Sequence, residues 1–365
     1  MQIMFNMRTI LKGKGSNIIV DNVVDKPKRS AKHDKTQTIS FDNPPCVVGR
    51  AAIVGEKEGK GPLGKYFHVV KADDKNGEKT FEKAEIDMLE QALDLAADSL
   101  PNKKVDLDLI ISGDLLNQIT TSSYVCRGLD TPFLGVYSAC STLSESIAIA
   151  AGMISAGYYD TVACCTSSHF ATAERQYRYP LEYGCQRPPY SQWTATAAGC
   201  TILSSEYRSN VVVTKAIIGK VVDYGLKDLN NMGAAMAPAA CDTIKAFFMD
   251  TKTKPEDYDL IVTGDLGKLG SDLLRSLMKQ EGLSLGRNYV DCGTLLYYVD
   301  QNCYQGASGA GCSASAINSF ILDKMEQGEY RKVAYFATGA LMNTQCCYQG
   351  ETIPCISHGV LFERR

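Results

Sequence analysis

The 365-residue chain lacks the features that usually mark membrane-spanning, metal-binding and nucleic-acid-binding proteins. It contains no apolar run of the roughly 18 residues that a spanning helix requires. Its fourteen cysteines include no Cys-x-x-Cys pair, and the adjacent pairs Cys164–Cys165 and Cys346–Cys347 suit a tetrahedral metal site poorly. The net charge of −3 gives no indication of a nucleic-acid partner. We therefore predict a globular, reduced, cytosolic protein without disulfides or a metal site.

The first 37 residues differ in composition from the rest of the chain. They are polar and rather basic, which favours a flexible leader, although a surface contact with anionic lipid is an alternative. The first ten residues are too poor in apolar content for a secretory signal and lack a small-residue cleavage site. We expect the folded body to begin at residue 38.

Two distant segments repeat each other. Residues 106–115 reappear as residues 257–266, with seven of the ten positions identical. Residues 157–163 and 328–334 share their Gly, Tyr and Val-Ala at matching positions. These separations are far longer than the period of about 20–50 residues found in solenoid repeats. We therefore predict a duplicated domain, with a first half at 38–210 and a second half at 211–365.

Helix and strand patterns alternate through both halves. Apolar spacing predicts helices at 82–100, 141–156, 239–249 and 312–325, and continuous apolar runs predict strands at 105–112, 133–137, 162–166 and 260–263. Such alternation is typical of a mostly parallel sheet covered on both faces. The predicted fold class is α/β.

Cys140 lies where a short apolar strand leads into a helix, and Thr142 and Glu145 have capping-box spacing. A thiol at the N-terminus of a helix meets the positive end of the helix dipole, which favours the thiolate. The same strand-to-helix elbow exposes the nucleophile in many enzymes. The alternative is a buried small residue that packs the helix against the sheet.

A cysteine nucleophile needs a base, and the chain has only four histidines. His33 falls in the leader and His68 in an early loop, so neither is a good candidate. His169 follows the third strand of the first half, at the carboxyl edge where ligands gather. His358 is expected to precede the final strand, and a structural role is the favoured interpretation for it.

Two further groups of polar side chains are candidates for ligand binding: arginines in one predicted loop, and polar residues that follow the repeated strands. Arg175, Arg178 and Arg187 lie in a predicted loop rich in tyrosine, which suits binding of a planar carboxylate but also a dimer contact or loop anchoring. Asp114 ends the first repeated strand and is followed by Asn117 and Gln118. The second half has Asp265, Lys268 and Leu269 at the corresponding positions.

Residues 305–311 resemble a phosphate-binding loop only superficially. They lack the full spacing and the lysine of a P-loop, so we discount nucleotide binding and expect no cofactor.

A duplicated α/β body with a cysteine at the elbow of the first copy resembles the thiolase superfamily. Within that superfamily, several uncommon sequence motifs resemble those of the stage V sporulation protein AD family, and the resemblance extends over residues 38–365. These motifs occupy residues 113–118, 139–142, 166–169, 171–176, 178–180, 236–240 and 354–359. The resemblance implies the thiolase-like fold, in which two duplicated halves form a layered α-β-α-β-α sandwich.

The resemblance also implies a role in spore formation. Family members bind dipicolinic acid and support its uptake, with calcium, into the developing spore and its release at germination. They work peripherally at the inner spore membrane with membrane proteins of the same stage V sporulation operon. By the same resemblance we expect a homodimer formed through the first half.

The sequence argues against catalysis. A β-ketoacyl synthase of the Cys-His-Asn kind places its histidine just after the repeated strand of the second half, where 262–266 contains none. Its asparagine loop corresponds to 306–311, which contains no asparagine. We therefore predict a non-enzyme that binds dipicolinate as the free dianion or the calcium chelate. The alternatives are an acyltransferase that uses Cys140, with His169 or His358 as base, and a purely structural subunit.

The resemblance gives a set of candidate ligand-binding residues. Asp114 and Cys140 are expected to line the pocket, and His169, Arg175 and Thr194 are further candidates.

Overall fold

The computed structural model describes residues 36–100 and 107–365. Of the predicted leader, residues 1–35 lie outside the described part, and residues Gln37–Arg365 form one compact unit. Its strands are β1 Thr38–Ser40, β2 Cys46–Val54, β3 Val69–Val70, β4 Leu109–Asp114, β5 Phe133–Gly135, β6 Thr161–Ser168, β7 Trp193–Thr194, β8 Ala197–Ser204, β9 Val211–Ile217, β10 Leu260–Thr263, β11 Tyr289–Asp291, β12 Ala307–Ser308, β13 Lys332–Ala340 and β14 Cys355–Arg364. Its α-helices are α1 Glu56–Gly59, α2 Phe81–Asp98, α3 Thr120–Cys126, α4 Thr142–Ser155, α5 Phe170–Tyr177, α6 Met232–Thr251, α7 Gly267–Gln280, α8 Cys292–Leu295, α9 Ala310–Ala316, α10 Leu322–Glu326 and α11 Thr344–Tyr348.

The duplication predicted from the repeated segments is present in the sheet. The first copy orders its strands β2-β8-β6-β4-β5, and the second copy orders its strands β9-β14-β13-β10-β11. The two repeated segments form β4 and β10, which occupy the same place in each copy. The copies join where β2 meets β9 in antiparallel pairing, at Cys46 and Val212. Both copies therefore have one topology, which is the outcome expected of a duplicated gene segment.

The sheet is mixed, although a mostly parallel sheet was predicted. In each copy the three strands at the outer edge run parallel, as β5-β4-β6 and β11-β10-β13. The two strands nearest the junction run antiparallel to their neighbours. The parallel strands of each copy are joined to one another through helical crossovers, and the predicted apolar runs all fall on these strands.

Helices form three layers around the two copies of the sheet. Helix α4 contacts β4 and β6 of the first copy as well as β13 and β14 of the second, and it also contacts α9, so these two helices form the central layer. Helix α2 covers the outer face of the first copy, and α6 with α7 covers that of the second. The result is the predicted α-β-α-β-α sandwich.

The sequences of the helices fit their layers. Helix α4 carries Ala148, Ala150 and Ala151, all buried, and their small side chains allow close approach on both sides. Helix α2 has a single apolar face, and the side chain of Thr80 caps it by accepting from the Lys83 amide at 3.3 Å.

Some predicted boundaries differ from the structure. Strand β4 extends from Leu109 to Asp114, beyond the predicted end at 112, and the predicted start at 105 and 106 lies outside the described residues. Helix α6 begins at Met232, seven residues earlier than predicted, and it includes Pro238. The predicted helix at 312–325 contains a π-helical turn, Ile317–Ile321, between α9 and α10. These differences do not change the order of the elements.

Candidate functional site

A cavity of about 50 Å³ lies beside Cys140, where the two copies meet. It is lined by Leu115, Tyr137, Ala139, Cys140, Ala173, Tyr177, Arg178, Thr194, Met232, Met236, Asp265, Ser308, Ala340 and Met342. The first copy contributes the elbow and helix α5. The second copy contributes the segment after β10 and the ends of β12 and β13. The short parallel pair β7–β12 brings Thr194 directly beside Ser308.

The elbow that presents Cys140 is a tight turn between β5 and α4. Ala139 adopts a left-handed conformation with φ of 51°, and Ala139–Ser141 form a single 3₁₀ turn before α4 begins at Thr142. The hydroxyl of Ser141 donates to the carbonyl of Ser138 at 2.9 Å, which closes the turn. The strained backbone at Ala139 is of the kind that functional sites retain.

The capping box predicted from Thr142 and Glu145 does not form. The N-cap of α4 is Ser141, and no side chain caps the helix. The Thr142 hydroxyl instead donates to the Ala139 carbonyl at 2.7 Å, which ties the helix to the preceding turn. The spacing therefore predicted correctly where the helix begins, but not which hydrogen bond holds its first turn.

The prediction that the elbow favours a thiolate is wrong. The pKa of the Cys140 thiol is raised well above its ordinary value, first by burial and then by the charge of Asp265 and a hydrogen bond to its carboxyl group. The Gly309 amide and the Arg178 charge lower the same pKa, but their effect is smaller. Burial of the thiol, together with an acidic group that the second copy places near the sulfur, thus outweighs the helix dipole.

We expect Cys140 to react slowly with alkylating reagents because the thiolate is the nucleophile. At pH 8 the exposed Cys185 and Cys346 should be carbamidomethylated by iodoacetamide well before Cys140. Peptide mass spectrometry over a time course measures the three rates in one sample. Labelling of Cys140 at the rate of the exposed thiols would contradict the raised pKa.

Arg178 brings a cation to the cavity. It caps the C-terminus of α5, and its side chain is 7% exposed. Its Nη1 donates to Glu174 at 2.7 Å, and its Nε donates to the Leu229 carbonyl at 3.2 Å. Glu174 also accepts from Arg187 at 2.7 Å, so one carboxylate is shared by two guanidinium groups. This arrangement leaves an excess of positive charge and holds Arg178 in one orientation.

Two tyrosines form the outer wall of the cavity. The hydroxyls of Tyr137 and Tyr177 lie 3.2 Å apart, and the Tyr177 hydroxyl donates to the Leu115 carbonyl. Tyr137, Tyr177 and Met342 also line a groove of about 430 Å³ that contains Asn117 and Gln118. The cavity and the groove therefore share a wall, and a ligand larger than the cavity has room to extend into the groove.

The structure brings two of the five predicted site residues to the cavity. Cys140 and Thr194 line it, whereas Asp114 does not. Asp114 is fully buried at the end of β4, where its carboxylate accepts the amides of Leu116 at 3.0 Å and Ser122 at 2.8 Å. Its role in the structure is to hold the turn that follows the strand.

His169 and Arg175 also lie away from the cavity. His169 is fully buried and caps α5, with Nδ1 accepting the Ala171 amide at 3.1 Å and Nε2 lying 2.7 Å from the Asp74 carbonyl. Arg175 lies inside α5, although a loop was predicted, and it forms an exposed ion pair with Glu82.

His358 lies inside β14, although it was predicted to precede the final strand. Its Nδ1 accepts the Gly219 amide at 3.3 Å, and burial lowers its pKa to about 4. The favoured structural interpretation of His358 agrees with these contacts.

Sequence reasoning did not select two residues that the structure places in the cavity. Asp265 was noted only as the counterpart of Asp114 in the second repeat. Arg178 was noted with its neighbours, but Arg175 was chosen in its place. The spacing of Glu174 and Arg178 is that of an i, i+4 helical ion pair, and this signal distinguishes Arg178 from Arg175.

Comparison with known proteins gives the family. The model of the family "Stage V sporulation protein AD (SpoVAD)" matches residues 35–363. The stage V sporulation protein AD of Bacillus subtilis (strain 168) is 42% identical over 328 residues, which cover 90% of this chain and 97% of that protein. The chain belongs to the stage V sporulation protein AD family.

Solved structures show the fold of this SpoVAD family member. The 3-oxoacyl-[acyl-carrier-protein] synthase III of Aquifex aeolicus has a TM-score of 0.54 at 13% identity, covering 87% of this chain and 99% of that one. The human mitochondrial 3-ketoacyl-CoA thiolase in complex with CoA has a TM-score of 0.53 at 12% identity, covering 90% and 99%. These neighbours establish the thiolase-like fold, and at such identities they establish nothing about activity.

In residues 36–100 and 107–365, no helix is both long enough and apolar enough to cross a membrane. In the same residues, no group of three or more His, Cys, Asp or Glu side chains is arranged to hold a metal ion.

Proposed function

We propose that this sporulation protein binds dipicolinic acid without transforming it, and that this binding supports uptake of the acid into the developing spore and its release at germination. The observation that carries the proposal is the Cys140 cavity, where the thiol faces a carboxyl group and the nearby cation is Arg178. A guanidinium is well suited to bind a carboxylate through two parallel hydrogen bonds. Because the chain belongs to a sporulation protein family, we choose a molecule of the spore as the ligand.

The dimensions of the site favour a planar ligand that occupies both the cavity and the adjoining groove. The cavity of about 50 Å³ accommodates one carboxylate beside Arg178, and the pyridine ring would extend past Tyr137 and Tyr177 toward the groove. Aromatic walls offer such a ring both stacking and edge contacts. Asn117 and Asn343 line the groove and would offer amide groups to the second carboxylate.

The surroundings of Cys140 support a non-catalytic role. A cysteine nucleophile works through a lowered pKa or an adjacent base. Here Asp265 raises the pKa of the thiol, and His169 and His358 make hydrogen bonds elsewhere. The thiol therefore has neither form of activation among the described residues.

An acyltransferase that uses Cys140 is the second candidate, because solved structures with the same fold are acyl-transferring enzymes and Cys140 is partly exposed. Incubation with acetyl-, octanoyl- and palmitoyl-CoA followed by intact-mass spectrometry tests it. We expect no acyl adduct at any chain length. An adduct that Cys140→Ser abolishes would favour the enzyme.

We further propose that the protein acts peripherally at the inner spore membrane with membrane proteins of its operon, and that it dimerises through the first copy. Among the described strands, β5 is the last at one edge of the sheet, and an edge strand can pair with a strand of another chain. Phe133 on this strand is exposed, as are the neighbouring Tyr124 and Leu129. An edge strand with exposed apolar neighbours supports the choice of this surface.

Isothermal titration calorimetry tests the binding proposal. Dipicolinate should bind the full chain with one molecule per cavity, and picolinate, which lacks the second carboxylate, should bind at least about tenfold more weakly because it loses a charge-assisted contact. Parallel titrations with the calcium chelate distinguish the two forms of the ligand. If neither form of dipicolinate binds, the proposed function is wrong.

A further inference from the structure

Asp265 is a buried acid in the wall of the cavity, contributed by the second copy. It is 1% exposed, and its Oδ2 accepts the Gly309 amide at 2.9 Å. Its Oδ1 lies 3.4 Å from the Thr338 hydroxyl, and its carboxyl group is hydrogen-bonded to the Cys140 thiol. Asp265 and Arg178 line the same cavity, so a ligand carboxylate placed there meets both groups.

We propose that Asp265 takes up one proton when dipicolinate binds, so that the neutral carboxyl group donates a hydrogen bond to the ligand carboxylate that Arg178 neutralises. The inference rests on the proposed function, because it assigns the ligand of that site. It makes Asp265 a binding residue and makes the affinity of the site dependent on pH.

Charge balance is the first argument for this proton uptake. With Asp265 ionised, the entering carboxylate would meet a second carboxylate in a small cavity where, among the described lining residues, Arg178 is the one cation. Two carboxylates that share one buried site do not both remain ionised, and one of them retains a proton. A pyridine dicarboxylate is a weak base compared with a buried aspartate, so the proton stays on Asp265.

The groups around Asp265 support the same conclusion. The pKa of Asp265 is raised to about 7 overall, with burial as the largest cause and the charge of Asp291 at the end of β11 acting in the same direction. The Cys140 thiol, the Gly309 amide and the Thr338 hydroxyl lower it. The charge of Asp265 also raises the pKa of three further thiols, on α8, α9 and β14, and of one phenol on β13, namely Cys292, Cys312, Cys355 and Tyr335. Apart from Asp291 these neighbours are neutral near pH 7, so a small change in charge decides the state of Asp265.

The sign of the pH dependence follows from this arrangement. Below the pKa of Asp265 the site already holds its proton, so binding changes no protonation and the affinity is constant. Above that pKa each binding event must take up a proton, so the affinity falls by about tenfold for each pH unit. The transition is expected near pH 7.

Calorimetry of the wild-type chain in buffers with different ionisation enthalpies measures the proton uptake. At pH 8 we expect close to one proton taken up per dipicolinate bound, and at pH 6 close to none. Binding of dipicolinate with no proton uptake at pH 8 would overturn this inference and leave the proposed function standing. Absence of binding at both pH values would overturn both.

Two variants identify the group that takes up the proton. Asp265→Asn cannot titrate but retains a donor for the ligand, so its affinity should be nearly equal at pH 6 and pH 8. Asp291→Asn removes the neighbouring acid, whose pKa burial raises to about 6, and it should retain proton uptake at pH 8. Uptake that persists in Asp265→Asn but is lost in Asp291→Asn would assign the proton to Asp291 and contradict the inference.

Discussion

Replacement of Arg178 by Gln is expected to weaken dipicolinate binding by about 100-fold, which corresponds to about 3 kcal/mol. The change removes the cation of the cavity and its pair of charge-assisted hydrogen bonds to the ligand. The fold should tolerate it, because Glu174 keeps its 2.7 Å hydrogen bond from Arg187. Calorimetry at pH 6 gives the affinity, and the thermal melting curve checks the fold.

Arg175→Gln is the matched control for this prediction. Arg175 lies three residues earlier on the same helix, but its side chain forms an exposed ion pair with Glu82, which is worth about 0–1 kcal/mol at most. Binding should therefore be unchanged. If Arg175→Gln loses affinity while Arg178→Gln retains it, then the residue chosen from the sequence is the ligand-binding one and the cavity is misassigned.

Replacement of Gly339 by Ala is expected to destabilise the protein by about 3 kcal/mol and to weaken binding as well. Gly339 lies in β13 of the second copy, packed against the Cys140 elbow of the first. An added Cβ would lie 1.9 Å from the Ser138 carbonyl oxygen and 3.2 Å from the Ser141 hydroxyl. The backbone of the elbow has to move, and Cys140 moves with it. Chemical denaturation measures the change in the free energy of unfolding.

Gly128→Ala provides the control for Gly339→Ala. A Cβ at Gly128 has no neighbour within 4 Å, so the substitution should change stability by no more than about 0.5 kcal/mol. Equal effects of the two substitutions would show that the close contact at Gly339 does not constrain the elbow.

The duplicated fold was predictable because its signals are local. The two copies of the repeated segment are long enough to recognise, and each forms the same strand of its own sheet, β4 or β10. The Cys140 elbow was likewise predictable, because an apolar strand and an apolar helix flank it within a few residues. Such signals depend on contacts between residues that are near one another in the sequence.

The chemistry of the site was less predictable because it depends on contacts between the two copies. The helix dipole at Cys140 indicated a thiolate, but burial of the thiol and the charge of Asp265, which the tertiary fold brings close, raise its pKa instead. The choice between Arg175 and Arg178 depends on the phase of α5, which was predicted as a loop. The fully buried Asp114 has the right residue type and strand position, but its hydrogen bonds hold a turn.

The equivalent aspartates of the two copies, Asp114 and Asp265, have different surroundings. Both residues occupy the same position in the repeated segment, but of the two only Asp265 lines the cavity. There it occupies the stretch where a condensing enzyme would have its histidine, and it raises the pKa of the thiol. The second copy therefore contributes to the cavity an acid whose charge, together with burial, raises the pKa of the Cys140 thiol.

The central claim is that the Cys140 cavity holds dipicolinate as an unmodified ligand. Diffraction from crystals grown with dipicolinate at pH 6 tests its location and its chemistry together. We predict one dipicolinate per chain, with a carboxylate against the Arg178 guanidinium and Asp265, and with no covalent bond to the Cys140 sulfur. An empty cavity with the ligand bound elsewhere, or continuous electron density between the ligand and Cys140, would contradict the account.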